Sequence, residues 1–308
     1  VIDSRHEEVA LNIIYGYRCN YSCDGCCVGS DYVVNKTKDP DLDKTLESIK
    51  LLPNIIKIKD SDNYFERGMI TLLGGEPMKY WDDRIEPLAR EIRKQFPRAR
   101  LNIFSNGHLL YKQADKIINL IDELSASITI SKHLSGDLES PLGKQWQVNI
   151  QKFLNHPRIA KIHDDHYEVV GNIESNIHFY AADEWFTWYK KTVNGIKPHA
   201  TNNPEKSMQY GCSSGSICSS VFENRLYKCS SLAMLPGLLS YQGQSQDTDW
   251  EKYLDYPYVD LLDVSKETTT YHADNYGKPT TYCDMCNDQQ SNIIQWQGRK
   301  SSQIIRGT

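Results

Sequence analysis

A chain of 308 residues, 39% hydrophobic and 24% charged, is long enough for one large domain or for one domain with a smaller appendage. No apolar run approaches the roughly 18 residues of a membrane span, and the opening VIDSRHEEVA is too polar for a signal peptide, so a cytoplasmic protein is expected. The net charge of -5 offers no basic footprint for nucleic acid. In chain order, ALNIIYGY (Ala10–Tyr17), MITLLGG (Met69–Gly75), LNIFSNG (Leu101–Gly107), ASITIS (Ala126–Ser131) and YEVVGN (Tyr167–Asn172) are short apolar runs ending in Gly, Asn or Ser, the pattern of buried parallel strands. Helical stretches lie between them. In DRIEPLAREIRKQF, the residues Ile85, Leu88, Ala89, Ile92 and Phe96 share one face, and ADKIINLIDEL and LGKQWQVNIQKFL read the same way. The alternation predicts an α/β fold with a parallel sheet, open or curled into a partial barrel, whose ligands sit at the C-terminal ends of the strands. The aromatic segment EWFTWYKK (184–191) is expected to pack as a helix between two domains. Beyond Trp185 the pattern gives way to the turn-rich PHATNNPEKSMQYGCSSGS and short strand-like pieces, which places a boundary near residue 195, between segments 1–195 and 196–308.

The nine cysteines are clustered: Cys19, Cys23, Cys26 and Cys27 near one end, Cys212, Cys218 and Cys229 far downstream, and Cys283 and Cys286 later still. In a reducing compartment, clustered thiols read as metal ligands rather than disulfides. Cys19, Cys23 and Cys26 form C-x3-C-x2-C on the loop leaving the first strand; starting instead from Cys23 and Cys27, the third position is Ser30. Three thiolates on a short loop can hold three irons of a cubane and leave the fourth open. A zinc knot completed by a distant ligand fits the same spacing. Cys27 reads as a small buried apolar residue.

This motif after a first strand resembles that of radical S-adenosylmethionine (radical SAM) enzymes, and further matches follow in order. GGEP, Gly74 to Pro77, ends the second run. The resemblance implies that Gly74, Gly75, Glu76 and Pro77 take the methionine amino group through free backbone carbonyls and one carboxylate. Alone, the same tetrapeptide is a tight turn into a helix with Pro at its first position. Ser105 and Asn106, in SNG, and Ser131 fall where the family places contacts to sulfonium, carboxylate or ribose. Gly25 stands where the family usually has an aromatic residue, so adenine contacts are expected from Tyr21 or from backbone.

The downstream cysteines are similar to a SPASM or shorter "twitch" extension. Cys212 is followed by the hairpin sequence SSVFENRLYKC, with Asn224 five positions before Cys229, and then by CDMC at Cys283 to Cys286. Asn is tolerated at such a turn because it enters the left-handed conformation readily. The resemblance implies that Cys212, Cys229, Cys283 and Cys286 ligate an auxiliary [4Fe-4S] cluster, with Cys218 the alternative to Cys212; structural zinc also suits four thiolates. It covers nearly the whole chain and implies a partial (β/α)6 TIM-like barrel to about residue 195, then a small cysteine-rich α+β auxiliary-cluster domain.

The activity so implied is reductive cleavage of S-adenosylmethionine, bound at the open iron, to a 5'-deoxyadenosyl radical that takes a hydrogen atom from substrate. A fully ligated auxiliary cluster would then accept an electron, which favours oxidation of a small polar substrate: sugar, cyclitol or nucleotide-like. An external one-electron donor such as flavodoxin or ferredoxin is expected, with neither membrane nor nucleic acid as partner. Candidate bases at strand ends are Lys132, His133, Glu174 and His178. Two alternatives stand beside this reading. One is a peptide-modifying relative, although only about nine residues before the first strand leave no room for a leader-binding domain. The other is a non-enzymatic iron–sulfur or zinc scaffold, which would leave GGEP without a role.

Overall fold

In the computed structural model, residues 6–23, 26, 28–29, 39–133, 138–180, 184–185, 188–212, 217–288 and 294–295 are described. Gly25 and Cys27 lie outside them. The first four apolar runs become adjacent parallel strands: Ala10–Gly16 (β1), Met69–Gly74 (β2), Arg100–Ser105 (β3) and Ala126–Ser131 (β4). The fifth differs from expectation. Ile159–His163 (β5) and His166–Val169 (β6) form an antiparallel hairpin, and the strand parallel to β4 is Asn172–Tyr180 (β7). Gly171, at φ 91°, turns the chain between β6 and β7, so the run Tyr167–Asn172 is divided where only glycine bends cheaply.

A sixth parallel strand comes from beyond residue 195. Cys218–Phe222 (β8) pairs with β1, Cys218 opposite Ala10 and Val221 opposite Ile13. Arg225–Tyr227 (β9) returns antiparallel and Val259–Asp260 (β10) pairs with it. The result is an open ten-stranded sheet in the order β10-β9-β8-β1-β2-β3-β4-β7-β6-β5. Glu223 and Asn224 take φ of 44° and 62°, the two left-handed residues of a two-residue hairpin turn.

Strand register builds the core directly. Val221, Ile13, Leu72, Ile103, Ile128 and Ile177 stand side by side across six strands, each 0% exposed. Helices follow β-strands as the periodicity requires: Leu42–Leu51 (α1), Glu86–Gln95 (α2), Ala114–Glu123 (α3) and Pro141–Leu154 (α4). Asp41 caps α1 and Ser140 caps α4, each side chain accepting from first-turn N–H groups. Further on come Pro204–Gly211 (α5), Ser230–Gln242 (α6), Thr248–Leu254 (α7) and Lys266–Asn275 (α8). Helix α6 buries Leu232, Ala233, Met234, Leu235, Leu238 and Leu239, and is therefore apolar nearly all round.

The described residues of EWFTWYKK are not helical: Glu184–Trp185 is a strand, Trp188 and Tyr189 form a bend, and Lys190–Thr192 pairs with Gly195–Lys197. Trp188 and Tyr189 are buried, Trp188 edge-on to Trp250 of α7 at 6.3 Å. The Gln244 side chain exchanges two 2.9 Å hydrogen bonds with the Ile196 backbone, a pairing that an extended chain offers and a helix does not. Among the described residues no helix is long and apolar enough to cross a membrane.

Candidate functional site

The strand ends at Gly16, Gly74 and Ser105 converge on the loop that carries Cys19, Cys23 and Cys26. The approach is close because glycine permits it: a Cβ on Gly75 would lie 2.1 Å from the Arg18 carbonyl oxygen, and one on Gly74 would lie 2.7 Å from that of Gly16. Gly75 N–H donates to Gly16 O and Glu76 N–H to Arg18 O, both at 2.9 Å, so GGEP is stitched to the residues just before Cys19. Asp39 fixes the same stretch from the other side, accepting from Tyr17 N–H at 3.1 Å, Arg18 Nε at 2.9 Å and the Tyr80 hydroxyl at 2.6 Å.

Glu76 is fully buried and does not face an open space. Its carboxylate accepts from Ser105 Oγ at 2.8 Å, Asn106 N–H at 2.9 Å and Met78 N–H at 3.3 Å. The Gly75 carbonyl accepts from the Tyr15 hydroxyl at 2.8 Å. Both this carboxylate and that carbonyl tie β2 to its neighbours. Burial pushes the Glu76 carboxyl up to about 7, against the pull of its three donors toward the charged form.

Asn106 links GGEP to the thiols. Its Nδ2 donates to Asn20 Oδ1 at 2.8 Å and approaches Cys19 Sγ at 3.7 Å. Gly107, at φ 78°, makes the turn; a Cβ there would lie 2.7 Å from Ile150 of α4. Trp146 and Asn149 of α4 then hold the turn by donating to the Asn106 and His108 carbonyls. His108, not singled out from sequence, sits beside the thiol loop with Nδ1 3.2 Å from the Tyr21 hydroxyl. Its place directly after SNG was the available signal. Tyr21 is 2% exposed, with His108 and His133 edge-on at 5.7 and 6.3 Å.

The other expected residues are dispersed. Ser131 ends β4 as expected and is buried. Lys132 follows it but is paired with Asp165 at 2.5 Å, where it anchors the β5–β6 hairpin. Glu174 is near the N-terminal start of β7, its carboxylate 3.5 Å from Arg67, and so stands at the opposite end of the sheet from Cys19. His178 packs on His166 at 4.5 Å, and burial lowers its pKa.

The downstream cysteines gather around the start of α6. Cys229 is the residue before α6, and burial together with Cys212 and Cys283 pushes its thiol up to about 12. Cys286 is raised by burial and by Cys229, Cys212 and Cys283. Gly211 lets α5 deliver Cys212 to this group, since a Cβ there would lie 2.1 Å from the Asn287 carbonyl oxygen. The CDMC turn is pinned through buried Asp284, which accepts from Lys252 at 2.7 Å and Tyr253 at 2.9 Å. Cys218 instead bonds Asn12 and faces Glu8 as well as Cys212. Cys212, Cys229, Cys283 and Cys286 therefore lie near one another, with Cys218 near Cys212 as well.

None of the eight described cysteines forms a disulfide. Among the described residues no three His, Cys, Asp or Glu side chains form a group that could hold a metal ion. The donor chemistry nonetheless fits iron–sulfur ligation. Cys19 Sγ accepts from Tyr21 N–H at 3.4 Å while burial holds its thiol far above the ordinary range, so a bound cation is what would make it a thiolate.

Residues 10–151 match the family of the 4Fe-4S single cluster domain. No curated protein matches the sequence. Among solved structures, BtrN in complex with AdoMet and 2-DOIA has a TM-score of 0.43 at 12% identity, covering 93% of this chain and 98% of that one. BtrN in an open conformation scores 0.41 at 12% identity, over 97% and 100%. SuiB of Streptococcus suis bound to S-adenosylmethionine scores 0.32 at 12% identity, over 73% and 60%. All three are distant likenesses.

Proposed function

We propose that this chain, whose residues 10–151 match the 4Fe-4S single cluster domain, is a radical SAM enzyme and that it oxidises a small polar substrate. The observation that carries the reading is the continuous linkage at the strand ends. GGEP is bonded to the backbone before Cys19, Glu76 is bonded to Ser105 and Asn106, and the Asn106 amide reaches the Cys19 sulfur. The spacing C-x3-C-x2-C and a GGEP turn therefore belong to one built site, which a zinc scaffold would not require.

Cys19, Cys23 and Cys26 would hold a [4Fe-4S] cluster, which when bound would supply the electron for reductive cleavage of S-adenosylmethionine. The chain's own residues position and enclose. Glu76 and Asn106 orient the strand-end backbone toward the methionine moiety, Ser131 is the polar group beside it, and Tyr21, in place of the residue before Cys26, covers the thiol loop. Cys212, Cys229, Cys283 and Cys286 would hold a second cluster, which would accept an electron and so make the net reaction an oxidation. An external one-electron carrier of the flavodoxin or ferredoxin kind serves as donor. His108 and His133, flanking Tyr21, replace Lys132 and Glu174 as the groups placed to take a proton at this end of the sheet.

Anaerobic reconstitution with iron and sulfide, followed by dithionite and S-adenosylmethionine, tests the reading. It predicts formation of 5'-deoxyadenosine and methionine, abolished in Cys19→Ala. No 5'-deoxyadenosine from the wild type, or equal yields from the two proteins, would overturn it.

A further inference from the structure

The face of the sheet opposite the aliphatic row carries a second row of another kind. Register sets Ser220, Asn12, Thr71, Asn102 and Ser127 side by side across five adjacent parallel strands. Asn176 of β7 is in phase with them, because Ile128 and Ile177 are partners. All six are buried, between 0% and 9% exposed. Closed or curled parallel sheets fill this inner layer with branched aliphatic side chains, so a fully polar layer is not what the fold needs. Burial of hydroxyls and carboxamides is unfavourable unless something bonds them.

The protein bonds only part of the row. Asn12 Nδ2 donates to Ser220 Oγ at 3.4 Å, Thr129 Oγ1 donates to Asn102 Oδ1 at 3.0 Å, and Asn176 Oδ1 meets His166 Nε2 at 3.1 Å. The hydroxyls of Thr71 and Ser127 have no partner among the described residues, yet they are not sealed off as orphaned buried atoms. Both therefore adjoin space on that face.

The row lies on the N-terminal half of the strands, beneath the thiol loop. Asn12 is four residues before Gly16, about 13 Å below the strand ends that meet Cys19 and GGEP. At its other margin Cys218, in phase with Ser220, bonds Asn12 and faces Cys212. The row thus begins on the strand that Cys218 opens and contains no charged side chain. The Arg67–Glu174 pair, at 3.5 Å, neutralises itself at the start of β7.

We infer that this row is the recognition surface for the substrate, and that the substrate is a neutral polyhydroxylated ring, a cyclitol or sugar, rather than an anionic nucleotide. The inference rests on the enzymatic reading above and narrows its substrate class. Alternating hydroxyl and carboxamide groups donate to and accept from a ring of hydroxyls, and offer no cation for a phosphate.

The test is equilibrium binding of myo-inositol, scyllo-inositol, glucose and galactose to the reconstituted holoprotein, measured by saturation-transfer NMR and titration. At least one is expected to bind, and the double variant Thr71→Val with Ser127→Ala is expected to bind it about tenfold more weakly. Both changes are near-isosteric and remove hydroxyls that bond nothing, so the variant's melting temperature should equal or exceed that of the wild type. Failure of the wild type to bind any of the four, or equal affinity in the variant, overturns the inference. Cleavage of S-adenosylmethionine by a wild type that binds no polyol would sink this inference and leave the enzymatic reading standing.

Discussion

Glu76 shows how one residue's burial becomes a property of the fold. Its carboxyl ionises about 7 in the folded chain against an ordinary 4.5, because burial outweighs three donors. Between those values the folded chain holds a proton that the unfolded chain has lost. Its stabilisation is therefore full below about 4.5 and lost as pH rises through about 7, on the order of 3 kcal/mol in all. For the metal-free protein, urea unfolding at pH 5 and 7.5 should show that decline, and Glu76→Gln should flatten it; an equal decline in the variant would show that another group is responsible. The neighbouring glycine is a steric case. Gly75→Ala puts a methyl 2.1 Å from a carbonyl oxygen and should cost about 3 kcal/mol or more, whereas Gly171→Ala, with nothing within 4 Å but φ at 91°, should cost about 1 kcal/mol. Equal losses in the two variants would mean that the β2 end is not held against the thiol loop.

At the scale of elements, the N-terminal approach to β1 is tied to β8 and α8 by buried side chains. His272 Nε2 stands 2.8 Å from Glu8 Oε1, and Ser219 Oγ donates to the same oxygen at 3.0 Å. Glu8 is 0% and His272 4% exposed, so His272→Ala should destabilise the protein by about 1–3 kcal/mol in chemical denaturation, by removing one hydrogen-bond partner of a buried carboxyl group. A loss below about 1 kcal/mol would mean that the carboxyl is comfortable alone. Strands β1 to β4 were legible in the sequence because each is a short run rich in apolar residues with a Gly or Ser at its end. The β6–β7 division was not, since the Val-Val-Gly-Asn run looks continuous until Gly171 turns it. The segment 184–191 misled because aromatic residues mark a buried segment without stating its conformation. Polar residues in phase, Asn12, Thr71, Asn102 and Ser127, were visible one by one, but their alignment needed the register.

Across the whole molecule, the two thiol groups sit toward opposite ends of one sheet. Cys19 follows the C-terminal end of β1, while Cys229 follows β9, which runs antiparallel to β8 and returns to the level where β8 begins. Helix α6 spans the interval, from Cys229 to Gly237, which packs beside the Tyr17 hydroxyl, a rise of about 12 Å. The cysteines, GGEP and SNG were legible because their chemistry fixes both residue type and spacing; the acid–base groups were not, because a lone His or Glu at a strand end carries no spacing to test. Iron content after anaerobic reconstitution decides the central claim of two clusters. The wild type should hold about eight irons per chain, and the Cys19→Ala, Cys23→Ala, Cys26→Ala variant about four. A wild type with about four irons and a variant with none, zinc being bound elsewhere, would remove the second cluster and the oxidation built on it.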